Sequence, residues 1–409
     1  MLVSQSLLEH GSFALDHYAI PRLNPSQQKG YVSNGSIYQI ELIDGHLYYF
    51  FPPGSSVLSV PYVALMKVVG LSAANADGTL NENGERRIQR SFAALLMAGL
   101  TALFFYTSRL LLSLGWSVLI AFGGALGTQI WSTASRALWS DTWGIFLLGF
   151  VIWMLVAQET GKYRIRPVLL ASLLAWTYFI RPTYCIPIIA ITVYVFAFYR
   201  PQLAWYIAAG GAWFAGFVFY SWYHFGQLLP NYYFANRLRF DSFGVALAGN
   251  LISPSRGLLV FVPVLIFVAY LLLRYAKELP FIRLVMLCLI IIAAHLIIIS
   301  GFSPWWGGHC YGPRYTTGLV PWFVLLSILA LKARLTWRGK QALKNLPFGW
   351  TLEFAIGGIL LACSVSINAL GAIDHRTSMW NLSPVNVDEQ PERVWDWKYP
   401  QFLVRWLKP

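Results

Sequence analysis

Charge is what this chain has least of. Among its 409 residues only 11% are Asp, Glu, Lys or Arg and 57% are hydrophobic, whereas a water-soluble domain carries about 25% charged residues. With a mean hydropathy of +0.55, that deficit excludes a soluble globular protein. Cysteine is scarce too. Cys185, Cys288, Cys310 and Cys363 are scattered, three of them in apolar segments, which excludes a disulfide framework and a thiolate metal site. Acidic residues number 17 against 30 basic, a net charge of +13. Much of that excess lies in short loops between apolar runs, as loop bias in membrane proteins requires, so no nucleic-acid partner is expected. Residues 1–16 lack both a basic start and an apolar run and do not read as a cleavable signal peptide.

What is abundant is apolar sequence long enough to cross a hydrocarbon core as helix, a length of about 17–25 residues. Ten spans are expected: Ser91–Leu112, Trp116–Ser135, Thr142–Ala157, Pro167–Ile180, Tyr184–Tyr199, Leu203–Tyr223, Gly257–Leu273, Phe281–Ser300, Thr316–Leu331 and Trp350–Ile373. The fold class is therefore an all-α polytopic membrane protein. Basic stretches at 161–166, 199–200, 274–283 and 332–344 fall on one side, which the positive-inside rule makes cytoplasmic. Residues 1–90 then form an extracytoplasmic first loop, 91–373 the helical bundle, and 374–409 an extracytoplasmic or interfacial tail. Arg86, Arg87 and Arg90 stand against that orientation.

Within the first loop, Asn24-Pro25, Asn34-Gly35 and Asp44-Gly45 are turn signals. Ser55–Leu71, apolar but short and carrying Pro61, reads as a juxtamembrane or re-entrant helix. The Trp-rich tail reads as an interfacial amphipathic segment. This topology leaves the amino terminus outside with nothing to carry it there, so a further span upstream of Met1 is expected.

The most concentrated chemistry is Ser303–Tyr315, S-P-W-W-G-G-H-C-Y-G-P-R-Y. Its three glycines permit tight turns or close approach to a ligand, and its prolines keep helix out of the loop. The planar fork of Arg314 suits phosphate oxygens. An interfacial aromatic belt with one snorkelling arginine accounts for the same residues. On the same expected face lie Asp141 in S-D-T-W, Arg181 in R-P-T, Arg256 in S-P-S-R-G and His309.

Ionisable groups at membrane depth serve a site or pair with one another. Four basic groups with aromatics and a carboxylate would make a pocket for an anionic lipid headgroup. Each has a plainer alternative: Asp141 as a helix cap, Arg181 snorkelling or paired with Asp141, Arg256 positioning the next helix, and His309 structural. His46 and Tyr48 stand between interface packing and substrate contact. His224 and His295 are read as core or pathway histidines.

In order along the chain, L-L-E-H-G-S-F-A-L-D … D-G-H-L-Y-Y-F-F-P-P-G, S-D-T-W, R-P-T, S-P-S-R-G-L-L-V and W-W-G-G-H-C-Y-G-P-R-Y resemble elements of GT-C fold integral-membrane glycosyltransferases. The relatives meant are of the protein O-mannosyltransferase and aminoarabinose transferase type, in a bacterial branch. The resemblance covers most of residues 1–335. It implies a GT-C-like bundle in the bacterial inner membrane that transfers sugar, with inversion, from a polyprenyl-phosphate donor at the outer face. The acceptor would be a lipid, glycan or protein.

It implies that a first-loop carboxylate takes the acceptor proton and that basic side chains hold the donor phosphate. Asp141 matches the family's second-loop acid and is the catalytic candidate in this chain, with Arg181, Arg256, Arg314 and His309 expected on the donor phosphate. His46, Tyr48, Trp305, Trp306 and Tyr311 would line the substrate pocket, and a divalent cation often assists. The family's first-loop acidic residue precedes the L-L-x-x-G segment, and Met1 lies inside that segment; Asp16, Glu41 and Asp44 do not occupy the matching place. A transporter or flippase of a lipid-linked saccharide is the alternative from another class, although the polar residues crowd one face rather than the midplane. A relative that has lost its chemistry is the third reading.

Overall fold

Where polar turns give way to apolar runs, helices begin, and several end at a glycine or just before a proline. The protein, a computed structural model, is described at residues 1–19, 33–34, 37–38, 40–234, 238–341 and 349–407. The Asn24-Pro25 signal, Gly35 and Lys344 lie outside the described residues.

The first loop holds α1 (Leu2–His10), the two-residue strands β1 (Ser33–Asn34) and β2 (Ile37–Tyr38), the hairpin β3 (Ile40–Ile43) and β4 (His46–Tyr49), and α2 (Gly54–Val68). The β3–β4 register pairs Ile43 with His46. Asp44 and Gly45 turn it with φ of 49° and 84°, the two positive values that an Asp-Gly hairpin turn requires. Leu2, Val3, Leu15, Leu47 and Ala73 give this region its own small core.

The rest is helical. In order come α3 (Glu82–Arg109), α4 (Leu114–Leu126), α5 (Ser140–Glu159), α6 (Pro167–Ile180), α7 (Cys185–Phe198), α8 (Arg200–Phe225), α9 (Phe243–Ile252), α10 (Leu258–Phe261) and α11 (Val264–Arg274). They are followed by α12 (Ile282–Ser300), α13 (Val320–Gln341), α14 (Gly349–Ile373) and α15 (Arg376–Met379). One core joins α5, α6, α7, α11, α12 and α13, and a second joins α3, α4, α5 and α13.

Among the described residues, six helices are long and apolar enough to cross a membrane: α3, α5, α8, α12, the run Arg314–Gly339 containing α13, and Leu352–Ile373 of α14. Residues such as Trp205, Phe214, Phe219 and Trp222 stand exposed on α8, a face that suits lipid rather than water.

The other four expected spans hold apolar helices of 11–14 residues, α4, α6, α7 and α11. Two of these shortenings have a visible cause. Pro263 cannot donate and its ring opposes continuous helix, so Gly257–Leu273 divides into α10 and α11. The freed groups are met by α14: Asn368 Nδ2 donates to the Phe261 carbonyl at 3.0 Å and Ser364 Oγ accepts from Val264 N at 3.1 Å. Beyond α4 the chain winds into a π-turn over Ile130–Ala134, instead of continuing as α-helix to Ser135.

Two regions carry more structure than their sequence suggests. The polar run before Ser91 is not loop throughout: α3 starts at Glu82, because Asn81 caps it by accepting from Gly84 N at 2.9 Å and Glu82 and Glu85 favour its positive end. The tail, read as an interfacial segment, contains no long helix among the described residues. It folds as α15 and two short 3-10 turns around Trp380, Val387 and Val394, and covers Trp305.

Candidate functional site

At one end of the bundle four segments meet. Helix α5 brings Asp141 in its first turn, α6 ends at Arg181, α12 carries His295, and a 3-10 turn over Arg314–Leu319 leads into α13. Pro182 forces the residue before it into extended geometry. Arg181 accordingly leaves α6 with φ −161° and ψ 131°, and its guanidinium reaches α5.

Asp141 is buried, and its Oδ2 accepts from Arg181 Nη1 in a tight ion pair. Its Oδ1 lies 3.4 Å from the Tyr184 hydroxyl. The helix-cap alternative is thereby displaced: the carboxylate faces side chains, and the cap position, Trp139, makes no side-chain cap. Tyr184 can come this close because Gly144 has no Cβ; one built there would stand 2.2 Å from the tyrosine oxygen. Gly318 completes the floor, its Cβ position 3.6 Å from Asp141 Oδ1 and 3.7 Å from the His295 ring. His295 Nε2 is 2.9 Å from the Tyr315 carbonyl.

The two arginines differ. The Arg181 guanidinium is 5.9 Å from the Tyr315 ring centroid and is charge-compensated by Asp141. Arg314 lies only 4.1 Å from the Trp139 ring centroid, and its buried Nε has no hydrogen-bond partner. Gln129 Oε1, Thr133 Oγ1 and Thr317 Oγ1 are likewise buried and unpartnered, along the contact between the π-turn and the Arg314 turn. Buried polar groups are normally satisfied, and π-turns concentrate at functional sites. The arrangement is thus a partly desolvated corner with donors and acceptors to spare.

Arg256 is corrected. Its side chain is 1% exposed and all five of its donor positions are taken. Nε donates to the Trp306 carbonyl at 2.9 Å. Nη1 donates to Ser255 O and Gln401 Oε1, each at 2.7 Å, and Nη2 to Asn381 Oδ1 at 2.8 Å and Gly308 O at 3.3 Å. Burial pulls the guanidinium down from its ordinary value. It ties the W-W-G-G loop to the tail and has no donor left for a phosphate.

The remaining expected residues take similar places. Exposed His309 stands 2.7 Å from Asn386 Oδ1 and 3.5 Å from Asp388 Oδ2 in the tail. Trp306 donates to Asp388 Oδ1 at 2.9 Å and Tyr311 to the Ile367 carbonyl at 2.6 Å. Trp305 is buried among tail residues, which sets it apart from an interfacial belt. His46 Nδ1 meets Asp16 Oδ2 at 2.6 Å and Tyr48 faces His224 at 3.4 Å, grouping both with the first-loop hairpin rather than with Arg181.

Of the residues singled out in the sequence, the structure brings Asp141 and Arg181 together, with Arg314 on the adjoining turn. Sequence reading missed Tyr184, Trp139, Tyr315 and the π-turn, and claimed no role for His295. Tyr184, in the R-P-T-Y that follows the break, was the one with a local signal.

Among the described residues no group of three His, Cys, Asp or Glu side chains could hold a metal ion. No family model, curated protein or solved structure matches the chain.

Proposed function

We propose that this protein is a GT-C-like integral-membrane glycosyltransferase with about ten membrane-crossing segments, working at the outer face of a bacterial inner membrane. It moves a sugar from a polyprenyl-phosphate donor to a lipid, glycan or protein acceptor. The observation that carries the reading is Arg314, stacked on Trp139 with a buried unpaired Nε, beside an arginine–carboxylate pair at the end of an apolar bundle.

The chemistry follows from those groups. The acceptor oxygen forms a bond to the anomeric carbon as the bond from that carbon to the phosphate oxygen breaks, inverting the centre. Negative charge grows on the departing phosphate, where a preorganised guanidinium stabilises it most. Arg314 is free to meet it. Arg181, whose Nη1 is held by Asp141, can turn toward it, and that exchange leaves Asp141 with Tyr184, ready to take the acceptor proton. Donor arrival and base release are thus coupled through one side chain.

The test is Asp141→Asn in full-chain protein reconstituted with a polyprenyl-phosphate hexose. Transfer falls by about 10²–10⁴-fold, the usual worth of a positioned base, while donor-lipid binding stays within a few-fold of wild type. Unchanged transfer would remove the base assignment. Gradient-driven movement of the donor across the vesicle, without transfer, would replace the reading by the flippase one.

A further inference from the structure

A second concavity opens beside the Arg314 corner. The chain at 238–240 pairs with 301–302, Arg239 N donating to Gly301 O at 2.9 Å, with a bridge between Leu238 and Phe302. Together with the tail this leaves a cleft of about 300 Å³, whose lining includes Trp305, Trp306, Trp395, Arg239, Asp241 and Glu392. The volume is at the small end of ligand pockets.

Its walls are specific in kind. The Trp305 ring centroid stands 6.1 Å from that of Trp306, at 89°, and 6.3 Å from that of Trp395. Indoles set at such angles offer apolar faces with polar edges. Asp241 and Glu392 are exposed, and neither forms an ion pair among the described residues. The lining thus combines flat aromatic surface with carboxylate acceptors. A sugar ring presents the complement, C–H bonds on one face and hydroxyls at its rim. Two carboxylates against one arginine disfavour an anionic sugar.

The cleft also adjoins the site already described. Tyr315, 5.9 Å from the Arg181 guanidinium, has its ring centroid 5.4 Å from Phe302 and its hydroxyl 3.4 Å from the Pro304 carbonyl. Phe302 and Pro304 line the cleft. The Tyr315 ring therefore stands between the Arg181 guanidinium and the Phe302–Pro304 edge of the cleft.

We infer that this cleft binds a neutral or amino-bearing saccharide and is the acceptor subsite, so that the acceptor is a glycan. The acceptor role rests on the transferase reading; the binding does not. Full-chain protein in nanodiscs is titrated with chitotriose, the glucosamine trimer and the galacturonate trimer, followed by tryptophan fluorescence and saturation-transfer NMR.

The first two trimers bind and the galacturonate trimer binds at least fivefold more weakly. Trp395→Ala weakens the neutral trimer about tenfold. Asp241→Asn with Glu392→Gln, both at exposed positions that leave folding intact, abolishes the preference against galacturonate. Arg314→Ala leaves trimer binding unchanged. Absence of binding by all three trimers, or binding indifferent to both the indole and the carboxylate variants, overturns the inference. Trimer binding by a protein that does not bind polyprenyl phosphate would keep the cleft and defeat the transferase reading.

Discussion

Arg181, Arg256 and Arg314 look alike in the sequence, each beside a proline, a glycine or an aromatic residue, yet they are three different chemical objects. Arg256 is a structural tie with its donors filled by neutral oxygens. Arg181 is half of an ion pair. Of these three, Arg314 is the one that combines an aromatic stack with an unpaired buried donor. A charged hydrogen bond contributes about 1.5–3 kcal/mol, so Arg314→Ala weakens polyprenyl-phosphate binding roughly 10–100-fold, measured in nanodiscs. Arg314→Lys restores part of it, since lysine keeps the charge but loses the planar fork and the stack. Equal binding by all three proteins would take Arg314 out of the site.

Among the elements, the first-loop hairpin shows how a small sheet is held at the end of a bundle. Glu41 on β3 accepts from Asn231 Nδ2 at 2.9 Å, in the loop that follows α8. Burial, outweighing that hydrogen bond, raises the Glu41 carboxyl above its ordinary value of 4.5. The sign follows from linkage: a folded state that holds the proton more tightly than the unfolded chain gains stability as pH falls. The gain is fully present below 4.5 and is lost as pH rises through the raised folded value. Glu41→Gln removes the charged form, so thermal melts of the variant show higher stability at neutral pH and a flatter pH profile in that window. A wild-type profile retained by the variant would mean that another group is responsible.

At the scale of the whole molecule, the tail closes over the central loop through Gln401. Its side chain accepts from Arg256 at 2.7 Å and from Gly312 N at 3.1 Å, and donates to the Cys310 and Thr377 carbonyls, each at 2.9 Å. Gln401→Ala strands several buried groups, each costing about 1–3 kcal/mol when unpaired. The midpoint of thermal unfolding in micelles drops by several degrees, and the tail becomes the first site of limited proteolysis. A silent substitution would show that the tail is not anchored through this residue.

Composition and hydropathy were enough to give helices, a bilayer-compatible length for six of them, and the Asp-Gly turn of the hairpin. Those properties are local: they depend on what each residue is and on its near neighbours. The pairing of Asp141 with Arg181, forty positions away, stood in the sequence as one alternative among several, and the approach of Tyr184 was not legible there. The same letters would allow a capped helix and a snorkelling arginine. What separated Arg314 from Arg256 was which long-range acceptors folding brought to each guanidinium, and a donor's occupancy is written in contacts across the chain rather than along it.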